Sequence, residues 1–144
     1  MNLYPIGRNG ELPDDVNPND HLKMIVEMTV AHYEKTGFPA PWVGYLATDK
    51  TGPIGVCGFK SAPVDGRVEI AYGTLPGNEG RGVASAMAAE LVRIAHAEDE
   101  KQVVFAQTLP EKSASTSILT KLGFTMAGSV EHSEDGTVWE WELR

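Results

Sequence analysis

The hydrophobic pattern of the first half of the chain predicts one helix followed by antiparallel strands. Apolar side chains recur every three or four positions over residues 21–36, which is typical of a helix with one buried face. Asn19 or Asp20 can cap its start, and Gly37 can end it. Short turn-forming segments then separate three extended stretches, so an antiparallel meander is expected. These stretches cover residues 42–47, 54–60 and 67–75.

The second half of the chain combines helical and extended patterns. An apolar stripe with helical spacing predicts a helix that ends near Ala97, and the apolar run that follows predicts a buried strand over residues 102–108. A crossover helix between two strands returns the chain in the same direction, so these strands should pair in parallel. The remaining elements are a short helix over residues 113–122 and a hairpin of strands 124–132 and 137–143.

These elements predict a single mixed α/β domain over residues 1–144. Its central sheet should be mostly antiparallel with one parallel strand pair, flanked by helices and closed by a C-terminal β-hairpin. Residues 1–19 are rich in Pro, Gly, Asn and Asp, which predicts an irregular lead-in.

Charge and composition narrow the classes of function. A net charge of −8 argues against a nucleic-acid-binding surface, because phosphate contacts need clustered Lys and Arg. No apolar run reaches bilayer-spanning length and the first ten residues lack signal-peptide features, so we expect no membrane association and a cytoplasmic location. The single cysteine, Cys57, excludes an internal disulfide. The four histidines lack metal-ligand spacing, and no metal site is expected.

A glycine-rich loop over residues 74–85, between a strand and a helix, is the strongest indication of chemistry. The first N–H groups of a helix are unpaired and lie at the positive end of its dipole, so they can bind an anion. Gly80 and Gly82 let the backbone approach phosphate oxygens, and Ala84 and Ser85 keep the first turn narrow. The loop lacks the lysine of a P-loop and the glycine order of a dinucleotide fold. A phosphate cradle and a plain connecting turn are both open here.

The sequence around this loop resembles the GNAT superfamily of N-acetyltransferases. Residues 79–84, EGRGVA, are similar to its Q/R-x-x-G-x-G/A signature. VEIAYGTLP at residues 68–76 and SASTSILTKLGF at residues 113–124 resemble the branch that includes the ribosomal-protein alanine acetyltransferases, and the tryptophan-rich hairpin also fits. The similarity spans most of the chain from Leu22 to Leu143. Three residues depart from the family pattern. Glu79 is found where Gln or Arg is usual, Lys112 where Asn is usual, and Leu119 where other branches have a tyrosine that acts as an acid.

The resemblance implies transfer of an acetyl group from acetyl-coenzyme A (acetyl-CoA) to a primary amine by direct attack. It implies that the strand ending near Leu75 splays from the strand ending at Thr108, with the pantetheine between them. Backbone N–H groups of residues 73–75 would polarise the thioester carbonyl. The residues it implies for cofactor binding are Tyr72, Gly73, Thr74, Leu75, Glu79, Gly80, Arg81, Gly82, Val83, Ala84, Ser85 and Lys112.

Two side chains are candidates for the proton transfers that amine acetylation requires. Glu69 is the candidate base because it is the only carboxylate within the central strand, although a solvent-facing or ion-paired strand glutamate is the commoner case. Ser115 is a candidate proton donor or cofactor contact, and alternatively a helix cap. Tyr33, Tyr45 and Tyr72 are further donors that the sequence does not rank.

Several acceptors are compatible with the sequence, because loops such as residues 36–41 and 130–138 would set specificity. They include a protein N-terminus, an aminoglycoside-like or polyamine substrate, and an amino acid. A homodimer is also possible. Two alternatives without catalysis stay open: a CoA-binding or sensing module, in which Glu79, Lys112 and Leu119 mark lost activity, and an interaction domain that keeps only the fold.

Overall fold

The computed structural model describes residues 1–144 and contains one sheet flanked by helices. The strands have the order β1-β2-β3-β4-β5-β7-β6, and only β4 and β5 pair in parallel. This confirms the predicted fold class. In chain order the elements are β1 (Asn2–Pro5), α1 (Asp20–Thr36), β2 (Gly44–Asp49), β3 (Gly52–Phe59), β4 (Arg67–Thr74), α2 (Val83–Glu98), β5 (Val103–Thr108), α3 (Ala114–Lys121), β6 (Thr125–His132) and β7 (Gly136–Leu143). None of the helices has both the length and the apolar character needed to cross a membrane.

Helix α1 begins and ends where its capping residues predict. The Asn19 side chain accepts a hydrogen bond from the Leu22 N–H at 2.9 Å, and the chain leaves the helix at Gly37, whose φ of 76° suits glycine. The Tyr33 hydroxyl donates to the Ile6 carbonyl at 2.8 Å and accepts from the Gly44 N–H at 3.0 Å. These two bonds attach α1 to the sheet.

The irregular lead-in predicted for residues 1–19 is wrong at residues 2–5, which form the edge strand β1. This strand pairs antiparallel with β2, and Ile6 just after it is fully buried. The segment is too short to show an alternating pattern, and its Pro5 is tolerated because an edge strand has one unpaired side. Backbone pairing with β2 therefore creates the strand without a sequence signal.

The core lies on both faces of the sheet. The larger cluster packs the sheet against α2 and α3 and includes the fully buried Met87 and Leu91. Gly55 lets α2 approach closely, because a Cβ there would lie 2.6 Å from the Met87 sulfur. A smaller cluster of Ile6, Leu22 and Leu46 packs α1 against the opposite face. The sheet is thus fixed between helices, with α1 on one face and α2 and α3 on the other.

Strands β4 and β5 are paired only at their first residues. The last pair in register is Glu69 with Phe105, whereas β4 continues beside β3 to Thr74 and β5 continues beside β7 to Thr108. The two strands therefore separate after Glu69, as the predicted splay requires. We call this opening between β4 and β5 the fork.

Candidate active site

The loop that follows β4 presents a run of unpaired backbone N–H groups. Gly80 and Gly82 both have a φ of 76°, a left-handed conformation that favours glycine, and a Cβ at either would meet nothing within 4 Å. Helix α2 starts directly after Gly82 with no side-chain cap and no acidic residue in its first turn. None of the amides of residues 79–85 donates to an acceptor within the chain. The loop therefore fits the phosphate cradle better than the plain turn.

Arg81 lies in this loop but its guanidinium is already engaged. It lies 2.6 Å from the Asp49 carboxylate and donates to the Asn78 side chain at 2.8 Å. Hydrogen bonds from Thr51, together with the Arg81 guanidinium, lower the pKa of Asp49 to about 2. Arg81 thus ties the loop to the β2–β3 turn. Glu79 is exposed and has no ion pair, so its carboxylate is free to point away from a bound anion.

A cavity of about 110 Å³ occupies the fork. On its β4 side, residues 70–74 pair with β3 alone, so the edge that faces the fork has no neighbouring strand. An extended group with amide donors and acceptors could bind along such an edge as an added strand does. The residues that line the cavity are Lys60, Glu69, Ile70, Ala71, Tyr72, Ala106, Gln107 and Ser115.

A larger cleft of about 780 Å³ lies between α1 and the sheet. Its floor is largely bare backbone, because Gly44, Gly58 and Ala71 face one another on three adjacent strands. His132, Glu134 and Asp135, at the turn between β6 and β7, form part of its rim. Three residues line both cavities: Lys60, Ala71 and Tyr72. The cleft and the fork therefore adjoin along β4, and a molecule in one can reach the other.

Glu69 lies at the apex of the fork, where the pairing of β4 with β5 ends. Its side chain is 17% exposed, and its Oε2 lies 3.1 Å from the Lys60 Nζ. That oxygen is buried and has no well-directed hydrogen bond, so the contact is an ion pair without hydrogen-bond geometry. A carboxylate with unused hydrogen-bonding capacity, beside a cavity, can accept a proton from an amine.

Ser115 is not the cap of α3. The helix begins at Ala114, and its capping box joins the side chains and backbone of Ser113 and Thr116. Ser115 instead lies in the first turn, half-buried, where its side chain contacts the phenol of Tyr72 at the fork. Burial raises the pKa of Tyr72, and the contact with Ser115 offsets part of that rise.

Cys57 is unsuited to a nucleophilic role. It is 5% exposed and packs in the core on the α2 side of β3. Burial raises the pKa of its thiol to about 12, and the nearby Glu90 charge adds to the rise. The thiol therefore stays protonated at neutral pH, and only the thiolate attacks acyl groups efficiently.

The structure also locates Lys112 and Leu119, the other two residues that depart from the family pattern. Lys112 is exposed just before α3 and makes no ion pair, and Leu119 is fully buried in the core. No feature of the sequence indicates Lys60, which lies beside Glu69 at the fork. Lys60 directly follows β3 and belongs to no sequence motif. It lies opposite Glu69 because of the register between β3 and β4, so only that register could have identified it.

Comparison with known proteins settles the family. A family model described as the acetyltransferase (GNAT) domain matches residues 7–125. The chain belongs to this family. The superfamily resemblance stated from the sequence is confirmed, and with it the general assignment as an acetyltransferase. No protein of curated function matches the chain in sequence.

Solved structures of acetyltransferases share the fold at low sequence identity. A variant of the spermidine N-acetyltransferase SpeG from Vibrio cholerae has a TM-score of 0.71 and 13% identity, over 99% of this chain and 94% of that chain. YncA from Salmonella typhimurium, solved with acetyl-CoA, has a TM-score of 0.65 and 20% identity over 83% and 73%. RimL, a ribosomal L7/L12 α-N-protein acetyltransferase solved with coenzyme A, has a TM-score of 0.63 and 15% identity, over 88% of this chain and 73% of that chain.

Proposed function

We propose that the chain transfers an acetyl group from acetyl-CoA to a primary amine by direct attack. One observation carries this proposal: the fork joins the two places that such a reaction needs. The β4 strand leads from the fork to the loop with unpaired amides, and the same part of β4 borders the cleft beneath α1. A donor along β4 and an acceptor in the cleft would therefore meet beside Glu69.

The residues of the loop and of β4 fit coenzyme A. Acetyl-CoA supplies a thioester whose acetyl group is activated toward amines. The unpaired amides of residues 79–85 would hold its pyrophosphate, aided by the positive end of the α2 dipole. The free edge of residues 70–74 would hold the pantetheine, and N–H groups of residues 73–75 would stabilise charge on the thioester oxygen. Lys112 adds a positive charge before α3.

The cleft would bind the acceptor and deliver its amine to Glu69. An alkyl ammonium has a pKa near ~10, so it must lose a proton before its nitrogen can attack. The Glu69 carboxylate accepts that proton, and Lys60 holds the carboxylate at the apex of the fork. Because the Cys57 thiol stays protonated, the amine attacks the thioester itself rather than an acylated cysteine.

A panel of amines with detection of released thiol tests the proposed function. It should include a peptide with a free N-terminus, a polyamine, an aminoglycoside and an amino acid, and calorimetry should measure CoA binding in parallel. We expect CoA binding and thiol release with at least one amine. Binding without release would support the CoA-sensing alternative instead. Loss of both would support an interaction domain.

A further inference from the structure

The proposed acetyl transfer, on which this inference rests, produces a thiolate in the fork that must be protonated. Few groups that line the fork can donate a proton. Lys60 is paired with Glu69 at 3.1 Å, and the Gln107 amide does not ionise. The helix position that carries a tyrosine in other branches is Leu119 here, and it is fully buried in the core. The proton must therefore come from a hydroxyl group of the fork, where only Tyr72 and Ser115 carry one.

The hydrogen bonds of the tyrosines distinguish one of them. The Tyr33 hydroxyl is occupied by the Ile6 carbonyl and the Gly44 N–H. The Tyr45 hydroxyl donates to the Pro41 carbonyl at 2.7 Å, and Tyr4 lies on the distant edge strand β1. Tyr72 alone lines the fork, and its phenol contacts only the Ser115 side chain among polar groups. Its proton is thus the one that is free to leave.

Tyr72 also lies on the appropriate side of β4. Successive side chains of a strand point to opposite faces, so Glu69 and Tyr72, three positions apart, lie on opposite faces of the sheet. Glu69 is on the face with Lys60 and the cleft, whereas Tyr72 packs against the core cluster that includes α2. An amine approaching beside Glu69 would therefore displace the sulfur toward Tyr72.

We propose that Tyr72 is the catalytic acid of acetyl transfer and that Ser115 positions its hydroxyl group. As the bond between nitrogen and the carbonyl carbon forms and the carbon–sulfur bond breaks, the proton on the Tyr72 oxygen moves to the sulfur. The phenolate regains a proton from solvent through Ser115. The ammonium loses two protons in total: Glu69 takes the first and passes it to solvent, which leaves the carboxylate free to take the second as the amide forms. The sulfur takes up one proton through Tyr72, so one proton is released per turnover.

The environment of Tyr72 suits this role. Burial raises the pKa of Tyr72 above its ordinary value of 10.0, so the phenol is protonated throughout the neutral range. A thiol has an ordinary pKa of about 8.5, below that of the phenol, so the transfer depends on the fork: protonation of the thiolate there spares the cost of an unpaired buried charge. The nearby Ser115 hydroxyl lowers the pKa of Tyr72 in part, because it can donate to the phenolate that the transfer leaves.

Tyr72→Phe removes the proton and keeps the ring, and Tyr45→Phe is its matched control. Tyr45→Phe loses a partly buried hydrogen bond outside both cavities, so it should lower the melting temperature without lowering kcat. Tyr72→Phe should lower kcat with acetyl-CoA about 10²-fold. With acetyl-seleno-CoA the loss should almost disappear, because a selenolate leaves without protonation. Ser115→Ala should show the same dependence on the leaving group with a smaller loss, and Ser115→Thr should restore the rate.

A binding measurement tests the contact without catalysis. At a pH above the thiol pKa, the wild-type protein should bind CoA about tenfold more tightly than desulfo-CoA, because the phenol donates to the thiolate. Tyr72→Phe should lose this preference while it still binds both compounds. Equal losses with the thioester and the selenoester, or a preference for CoA that persists in Tyr72→Phe, would overturn the assignment. An inactive wild-type protein would instead reject the proposed function.

Discussion

At the scale of single residues, the site depends on side chains whose partners come from distant parts of the chain. Glu69 is paired with Lys60, which follows β3, and it lies beside Gln107 of β5 at the fork. Its carboxylate lines the fork cavity and is held there by the Lys60 ammonium. The pairing satisfies a half-buried charge, and it leaves the carboxylate able to take a proton.

Glu69→Gln tests whether this carboxylate is the general base. The amide keeps the shape of the side chain but cannot accept a proton, so kcat should fall about 10²- to 10⁴-fold, with CoA affinity unchanged in calorimetry. Glu142→Gln is the matched control, because Glu142 is a half-buried glutamate that pairs with Arg67 at 2.9 Å, outside both cavities. It should lower stability slightly and leave kcat unchanged. Normal turnover of a destabilised Glu69→Gln protein would make Glu69 structural.

The sequence predicts residues whose role depends on neighbouring residues in the chain. It is less informative about contacts between side chains that are far apart in sequence. Asn19 and Gly37 cap α1 as predicted, because a cap depends on adjacent backbone. The engagement of Arg81 by Asp49 joins residues far apart in sequence, and it exists only because β2 and β3 place their turn beside the loop. The contact of Tyr72 with Ser115 similarly joins β4 to α3. Such pairs require the tertiary fold.

At the scale of elements, the strand–loop–helix unit of β4 and α2 combines a free strand edge with unpaired helix amides. Its existence and approximate bounds followed from the change of hydrophobic period after Leu75 and from the glycines. The edge strand β1 could not be predicted from the sequence, because its four residues at the sheet edge are too little buried to produce a hydrophobic pattern. Elements that bury one full face were thus predictable, and those created by edge pairing were not.

Gly82→Val tests the loop, with Gly37→Val as a control that has the same φ but a different ψ. Both glycines have a φ of 76° and open space around a Cβ, so both variants should lose at least about 1–2 kcal/mol of stability. Only the Gly82 side chain would occupy the space beside the unpaired amides, so only Gly82→Val should raise the Kd for CoA, by at least about tenfold. Equal CoA affinity in both folded variants would remove the phosphate-cradle assignment.

The ion pair between Arg81 of the loop and Asp49 at the β2–β3 turn predicts that the stability of the fold depends on pH. The pKa of Asp49 is lowered to about 2 in the folded chain, chiefly by Thr51 and further by Arg81, against 3.8 ordinarily. Asp49 therefore contributes stability above its unfolded pKa and loses it as the pH falls through about 2. Thermal melts should show Asp49→Asn less stable than wild type by a constant margin near neutral pH. This difference in stability should disappear as the pH approaches 2. A difference that persists at pH 2 would show that the Asp49 carboxylate does not cause it.

At the scale of the whole molecule, the charge distribution favours cationic acceptors over anionic ones. The net charge is −8, and two carboxylates, Glu134 and Asp135, stand on the rim of the cleft. In the proposed function coenzyme A would bind against this overall charge, so we expect its affinity to come from the local amides of residues 79–85 rather than from a basic surface. The homodimer stays a prediction, and the outer edges of β1 and β6 are the unpaired edges of the sheet.

The rim charges predict that a second positive charge on the acceptor improves its capture. Charges at the surface are screened beyond about 10 Å at ~0.1 M salt, so added salt should lower kcat/KM more for a diamine than for a monoamine of equal length. Glu134→Gln should reduce this difference, whereas Glu100→Gln, which changes the net charge equally on an exposed residue outside the cleft, should preserve it. Identical salt dependence of the two amines in the wild-type protein would show that the rim does not select for charge. Identical behaviour of the two variants would attribute the selection to net charge alone, so the comparison separates a local recognition site from a general field.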